Sequence, residues 1–162
     1  MGLTVHCDGR VVLTVPHIVP LQAGEDFLRA KAQWLLEKLA YYRQFTNTRL
    51  AALGRRDYLR AKEEARALVM DRLEYFNAHY GYVYNRVAIR NQKACWGSCS
   101  SKGNLNFNYK LLYIPRELCD YVIVHELCHL KEMNHSKKFW DLVSQAAPNY
   151  KILRKQLRGN KF

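Results

Sequence analysis

Two periods of hydrophobic recurrence divide the chain. Residues 2 to 15 hold two short β-rich runs, LTVHC and VVLTV, separated by the turn signal Asp8-Gly9, which together predict a hairpin. Pro16 and Pro20 end it. From Gly24 to about Phe45 the apolar positions Phe27, Ala30, Trp34, Leu35, Leu39 and Tyr42 recur at helical spacing, predicting an amphipathic helix with Arg, Lys and Glu on its other face. A second long helix is predicted from about Asp57 to His79, with Leu59, Ala65, Leu68, Val69, Leu73 and Phe76 on its inner stripe and Gly81 just beyond its end.

The pattern then switches to period two. VYNRVAIRN alternates as a strand, and after the turn Ser101-Lys102-Gly103 the run NLNFNYKLL alternates again. Leu105 and Phe107 share one face of this second run, and Asn104, Asn106 and Asn108 share the other. That Asn side is a candidate substrate contact if the strand lies at a sheet edge, where extended peptides add. The segment Trp96-Gly97-Ser98-Cys99 reads as a tight turn with Trp96 packed in the core.

From Pro115 to about Lys131 the chain predicts a helix, with Pro in the first turn and Glu117 near its positive end. It is apolar nearly all round. LCDYVIVHELCHL therefore belongs in the interior, and its polar side chains need a reason to be there. Ser136 can cap a shorter helix running to Ala146, and a basic helix starts after Pro148. No repeat, low-complexity tract or linker divides residues 1–162, so the expectation is a single α+β domain.

Composition narrows the class. The 162 residues are 49% hydrophobic and 25% charged, an ordinary globular balance. No apolar run approaches the roughly 18 residues of a membrane span, and the start MGLTVHCDGR lacks a basic segment followed by an apolar core. Met1-Gly2 is not followed by Ser or Thr at position six, where His6 stands, which sets myristoylation aside. Five cysteines, Cys7, Cys95, Cys99, Cys119 and Cys128, form an odd set that fits reduced thiols, so a cytoplasmic protein is expected. The Cys95/Cys99 pair has no second pair downstream, and ordinary buried cysteine is preferred to a structural zinc site. A net charge of +12 is enough to attract polyanions, although a solubilising basic surface accounts for it equally well.

The chemistry lies in His125-Glu126-Leu127-Cys128-His129, an HExxH sequence. Helical spacing of four residues puts both imidazoles on one face, able to share one tetrahedral zinc ion. Glu126 can take a proton from the metal-bound water during attack on a carbonyl and pass it to the leaving amine. Two imidazoles and a carboxylate satisfied only by hydrogen bonds would be the alternative, and burying them in an apolar turn costs several kcal/mol unless they are paired or ligated. His135, six residues beyond His129, is the candidate third ligand, and His79 the less favoured alternative. The three-histidine spacing matches that of metzincins, yet Glu132 stands where those carry a helix-breaking glycine and no Met-turn follows. A helix continuing to His135 would carry it off the ligand face, so the helix must end first, with Asn134 in a left-handed conformation as the expected turning point. A cysteine nucleophile at Cys99 is disfavoured because the clustered histidines are committed to metal.

Trp96-Gly97-Ser98-Cys99, YVIVHELCHL, Asn134-His135-Ser136 and Phe139-Trp140 together resemble the YgjP-like metallopeptidases, relatives of the SprT and Spartan proteases. The resemblance implies a compact zincin-like α+β fold with a small β-sheet and an HExxH active-site helix. It also implies zinc held by His125, His129 and His135, with Glu126 as general base. One departure is Cys95, standing where the family pattern suggests a basic residue before Trp96.

The expected function is zinc-dependent hydrolysis of a peptide or protein substrate, with no membrane partner. The alternative is a nucleic-acid-associated protein using the basic surface, either a Spartan-like protease acting near DNA or a basic binding module. A metal-binding module that has lost catalysis is disfavoured by the intact Glu126. Tyr109, Tyr113, Arg116 and Tyr150 are all candidate oxyanion donors, and nothing in their spacing selects one.

Overall fold

A computed structural model describes residues 1–5, 11–46 and 53–159, which fall into two compact units, Met1–Arg49 and Leu50–Phe162. In the first, strands β1 (Gly2–Val5) and β2 (Val11–Thr14) pair antiparallel with Leu3 opposite Leu13 and Val5 opposite Val11, as the alternation predicts. The Asp8-Gly9 turn and Cys7 lie outside the described residues. The expected helix over 24–45 starts earlier and is two helices, α1 (Leu21–Ala30) and α2 (Ala32–Thr46). Between them, the Lys31 N–H is shared between the carbonyls of Phe27 and Leu28, both at 3.1 Å, and the second contact tightens the turn locally.

The second unit is built around one buried helix. Helix α3 (Arg55–Tyr80) ends at Gly81, whose φ of 63° is the left-handed conformation that a C-terminal glycine supplies without a Cβ clash. Its Ala61, Ala65, Val69 and Leu73 are buried, one face at helical spacing. Strands β3 (Arg86–Arg90), β4 (Gly97–Cys99) and β5 (Asn104–Asn108) form a three-stranded sheet in the order β3-β5-β4, with β3 parallel and β4 antiparallel to β5.

Two sequence expectations change here. The run NLNFNYKLL does not stay extended: after Asn108 it tightens into a 3-10 turn, Tyr109–Tyr113, which buries Tyr109, Lys110 and Leu111. Asn108 causes this locally, because its side-chain carbonyl accepts the Lys110 N–H at 3.1 Å and so caps the turn. Secondly, β5 is the middle strand and has no free edge, so its Asn side is not an edge-strand contact for substrate. Asn106 instead reaches the Ser98 hydroxyl at 3.3 Å, and the fully buried Asn108 donates to the carbonyls of Gln92 (2.8 Å) and Cys95 (3.1 Å). Trp96-Gly97-Ser98-Cys99, expected as a tight turn, contributes an edge strand of the sheet, with Trp96 itself buried.

Helix α4 (Arg116–His129) is enclosed by α3, β4, α5 (Lys137–Ala146) and α6 (Tyr150–Gly159). Leu118, Val122, Ile123, Val124 and Leu127 are buried on it, each worth about 1.5–3 kcal/mol when fully removed from water. Arg72 on α3 clamps α4 by donating through Nε and Nη2 to both carboxylate oxygens of Asp120, at 2.7 and 3.0 Å. This two-point geometry fixes the rotation of α4 about its axis as a single contact would not. Ser136 caps α5 by accepting the Phe139 N–H at 3.4 Å, as expected from the sequence. Among the described residues, no helix is long and apolar enough to cross a membrane.

Candidate active site

The last turn of α4 brings His125, Glu126 and His129 to one end of the buried helix, and the chain turns back at once. The helix stops at His129, Leu130 caps it in right-handed geometry, and the Glu132 N–H still reaches the Cys128 carbonyl at 2.9 Å. No described non-glycine residue has a positive φ, so Asn134 is not the left-handed turning point the sequence suggested. The reversal is made by a turn at Leu130 and Lys131 and a bend at Met133 and Asn134, closed by the Ser136 N–H donating to the Asn134 carbonyl at 2.8 Å. It has the same consequence, because His135 returns to the ligand face.

The three imidazoles converge. His125 Nε2 lies 3.2 Å from His129 Nε2 and 3.0 Å from His135 Nε2. Two nitrogens bound tetrahedrally to one ion at about 2.0–2.1 Å would stand roughly 3.3 Å apart, close to these separations. His129 Nδ1 lies 3.0 Å from the Glu132 carbonyl, which can only accept, so that nitrogen carries the proton and Nε2 presents a lone pair to the cluster. His125 Nδ1 is buried without a partner. Burial first, then the neighbouring His129, His135 and Arg154, push His125 down to about 3; burial likewise lowers His129 and His135. All three are therefore driven toward the neutral form that ligates metal. Among the described residues, these three are the group of side chains arranged to hold a metal ion.

His135 has little burial to hold it, and aromatic rings do so instead. Trp140 stacks against it at 5.5 Å with 21° between planes, and Phe139 meets it edge-on at 4.8 Å. Phe139 is wholly buried and also stacks on His129 at 4.5 Å. These contacts come from two successive residues of α5, whose start is fixed by the Ser136 cap.

Glu126 is 6% exposed, and burial raises its carboxyl to about 8. It sits against β4, where a Cβ on Gly97 would come within 2.7 Å of Glu126 Cγ and 2.9 Å of Oε1. Gly97 has no left-handed backbone requirement; it is needed because any side chain would occupy the place of this carboxyl.

A cleft of about 890 Å³ opens over the site, lined by His125, Glu126 and His135 together with Lys93, Cys95, Gly97, Tyr121, Trp140, Arg154 and Arg158. Of the four candidate oxyanion donors, none lines it. Tyr109 is buried and donates to the Gly54 carbonyl at 3.3 Å, and Tyr150 stacks on Trp140 at 4.9 Å. Tyr121 does line the cleft, one helical turn before His125, with its ring 5.8 Å away. Burial pushes its hydroxyl up to about 12, so it keeps a proton to donate. The i, i+4 spacing of Tyr121 and His125 was the signal available in the sequence.

The other candidates fall outside the cluster. His79 is exposed on the last turn of α3, with Nε2 3.4 Å from Gln145 Oε1. Cys99 is raised to about 11 and Cys95 is also raised, by burial and then by Glu126, which opposes thiolate chemistry as nucleophile or ligand.

Residues 47–160 match the model of the YgjP-like family, described as a metallopeptidase domain. Among solved structures, the chain is similar to the crystal structure of the metallopeptidase zymogen of Pyrococcus abyssi abylysin. Identity is 30%, the TM-score is 0.51, and the match covers 55% of this chain and 90% of that chain. The mixed α+β architecture with small sheets thus has a metallopeptidase, zincin-like neighbour, as expected from the sequence. No curated protein matches.

The convergence of three imidazoles predicts about one divalent ion per chain, with His135→Ala losing most of its retention through dialysis. Elemental analysis of the two proteins checks this. Equal occupancy would remove His135 from the ligand set.

Proposed function

The chain belongs to the YgjP-like metallopeptidase family, and we propose that it is a zinc-dependent peptidase in which His125, His129 and His135 hold the ion and Glu126 moves the proton. The observation that carries this reading is the meeting of three Nε2 atoms at 3.0–3.2 Å beside a buried carboxyl that lines the same cleft. Family membership brings a divalent metal and hydrolysis with it. The choice of zinc rests on the donor set, since three neutral imidazoles with an open fourth position are the usual surroundings of catalytic zinc.

Bound there, zinc would supply Lewis acidity, lowering the pKa of a water to near 7 and polarising a carbonyl. The remaining work falls to the chain's own groups. The Glu126 carboxylate accepts a proton from the attacking water as the water oxygen bonds to the peptide carbonyl carbon. It then delivers that proton to the amine nitrogen as the C–N bond breaks. Burial suits it to this task, because a carboxyl with raised proton affinity is a stronger base than one in water, and an ion held by the three histidines would favour its ionised form. Tyr121, protonated and facing the same cleft, is the hydroxyl donor available to the developing oxyanion.

Gly97 sets where the base stands. A methyl group there meets Glu126 first, at Cγ, Oε1 and Cδ, so the cost falls on proton transfer.

Glu126→Gln keeps shape and removes the base. It should retain zinc like the parent and lose on the order of a hundredfold or more in turnover of a cleavable peptide drawn from a library. Equal turnover in the two proteins would refute the mechanism, and zinc loss in the variant would make Glu126 a ligand or support. Gly97→Ala should likewise hold its metal while losing about tenfold or more in kcat, the scale of a displaced catalytic group. Unchanged kcat would show that the glycine does not set the position of the carboxyl.

A further inference from the structure

Helix α6 turns Arg154, Leu157 and Arg158 toward the cleft, residues at i, i+3 and i+4 that share one face. Arg154 is placed, not free: its guanidinium lies 4.9 Å over the Trp140 ring, the ring that stacks on His135. One indole therefore separates a fixed cation from the metal cluster. Lys93 adds a third positive charge to the lining, and among the described residues Glu126 is its one carboxyl.

This placement is electrostatically unfavourable on its own. With the Arg154 guanidinium over the ring that stacks on His135, its charge would oppose a dication held by the three histidines. A part-buried arginine such as Arg72 is held by a carboxylate, Asp120, at 2.7 Å. Among the described residues, neither Arg154 nor Arg158 forms such a pair. Two guanidiniums on one face of α6, lining the cleft beside the three histidines, suit a molecule that brings an anion into it. Guanidinium matches carboxylate by two parallel hydrogen bonds, and stacking on Trp140 has already removed much of the Arg154 side chain's freedom.

We propose that Arg154 and Arg158 form a carboxylate-binding subsite, so that the preferred substrate is a peptide carrying a carboxylate next to the bond brought to the His125-His129-His135 centre. The inference rests on the peptidase reading. The carboxylate is either the peptide's own C-terminus or an acidic side chain. A cleft of about 890 Å³ is within the range that encloses a small ligand, which favours a short peptide segment over a nucleic-acid duplex as its occupant.

The test uses the zinc-loaded full chain and two matched peptide pairs, one differing only in a free or amidated C-terminus, the other only in Glu or Gln near the scissile bond. At least one pair should show a preference in kcat/KM of about tenfold or more for the charged member, the scale of a charge-assisted hydrogen bond. The pair that responds identifies the source of the carboxylate. In the double variant Arg154→Glu, Arg158→Glu that preference should vanish or invert, and because it is a ratio within one protein, partial loss of folded enzyme does not move it. No preference in the parent, a preference that survives in the variant, or equal loss for both members of a pair would each overturn the assignment. Binding of the same peptides to zinc-loaded Glu126→Gln, followed by fluorescence anisotropy, separates the two readings. If no peptide is cleaved by the parent yet the charged one binds through the arginines, the subsite stands and the peptidase reading falls. If a single-stranded oligonucleotide binds through the same arginines more tightly than either charged peptide, the anion is phosphate and the carboxylate assignment fails.

Discussion

Three imidazole nitrogens meeting at one point form a group that could hold a metal ion. His129 spends its proton on the Glu132 carbonyl, so its Nε2 is a bare lone pair. His125 Nε2 faces both that lone pair and His135 Nε2 and has at most one proton to offer. At least one contact in the cluster is then repulsive among neutral rings, and depressed proton affinities prevent protonation from relieving it cheaply. A divalent ion accepts all three lone pairs at once. The helix end at His129, the return of the chain to His135 and the aromatic wall of Phe139 and Trp140 together bring the three rings to one place.

Around the cluster, the fold supplies fixed backing. The Arg72–Asp120 pair ties α4 to α3, and the packing of its buried apolar residues leaves His125 and Glu126 on the cleft and Leu127 in the core. Asn108 ties the residues before β4 to β5 through the Gln92 and Cys95 carbonyls, so the wall bearing Cys95, Trp96 and Gly97 stands at a set distance from Glu126. Gly97 then leaves that carboxyl its room. Asn108 is thus a satisfied polar residue of the core, and Glu126 is a buried carboxyl that lines the cleft.

Much of this was legible because local and global signals agree. The near-continuous apolar surface of 115–131 marks a buried helix, and HExxH within it sets two imidazoles on one face whatever the tertiary context. Ser136 and Gly81 announce helix ends by their own chemistry. What escaped the sequence depends on pairing order or on distant side chains. Alternation in NLNFNYKLL cannot tell a central strand from an edge strand, nor reveal that Asn108 would use its amide to stop the strand. The break at Lys31 carries no glycine or proline to mark it. Arg154 and Arg158 read as part of a general basic surface until α6 is seen to face the cleft, and Tyr121 was hidden among apolar neighbours on α4.

The most direct measurement of the central claim is X-ray absorption at the zinc edge of the metal-loaded chain. Three imidazole nitrogens with one or two further light atoms, all at about 2.0–2.1 Å, are predicted. A scatterer near 2.3 Å would place a thiolate, from Cys95 or Cys99, in the first coordination sphere. That result would contradict an open three-histidine centre and, with it, the role given to Glu126.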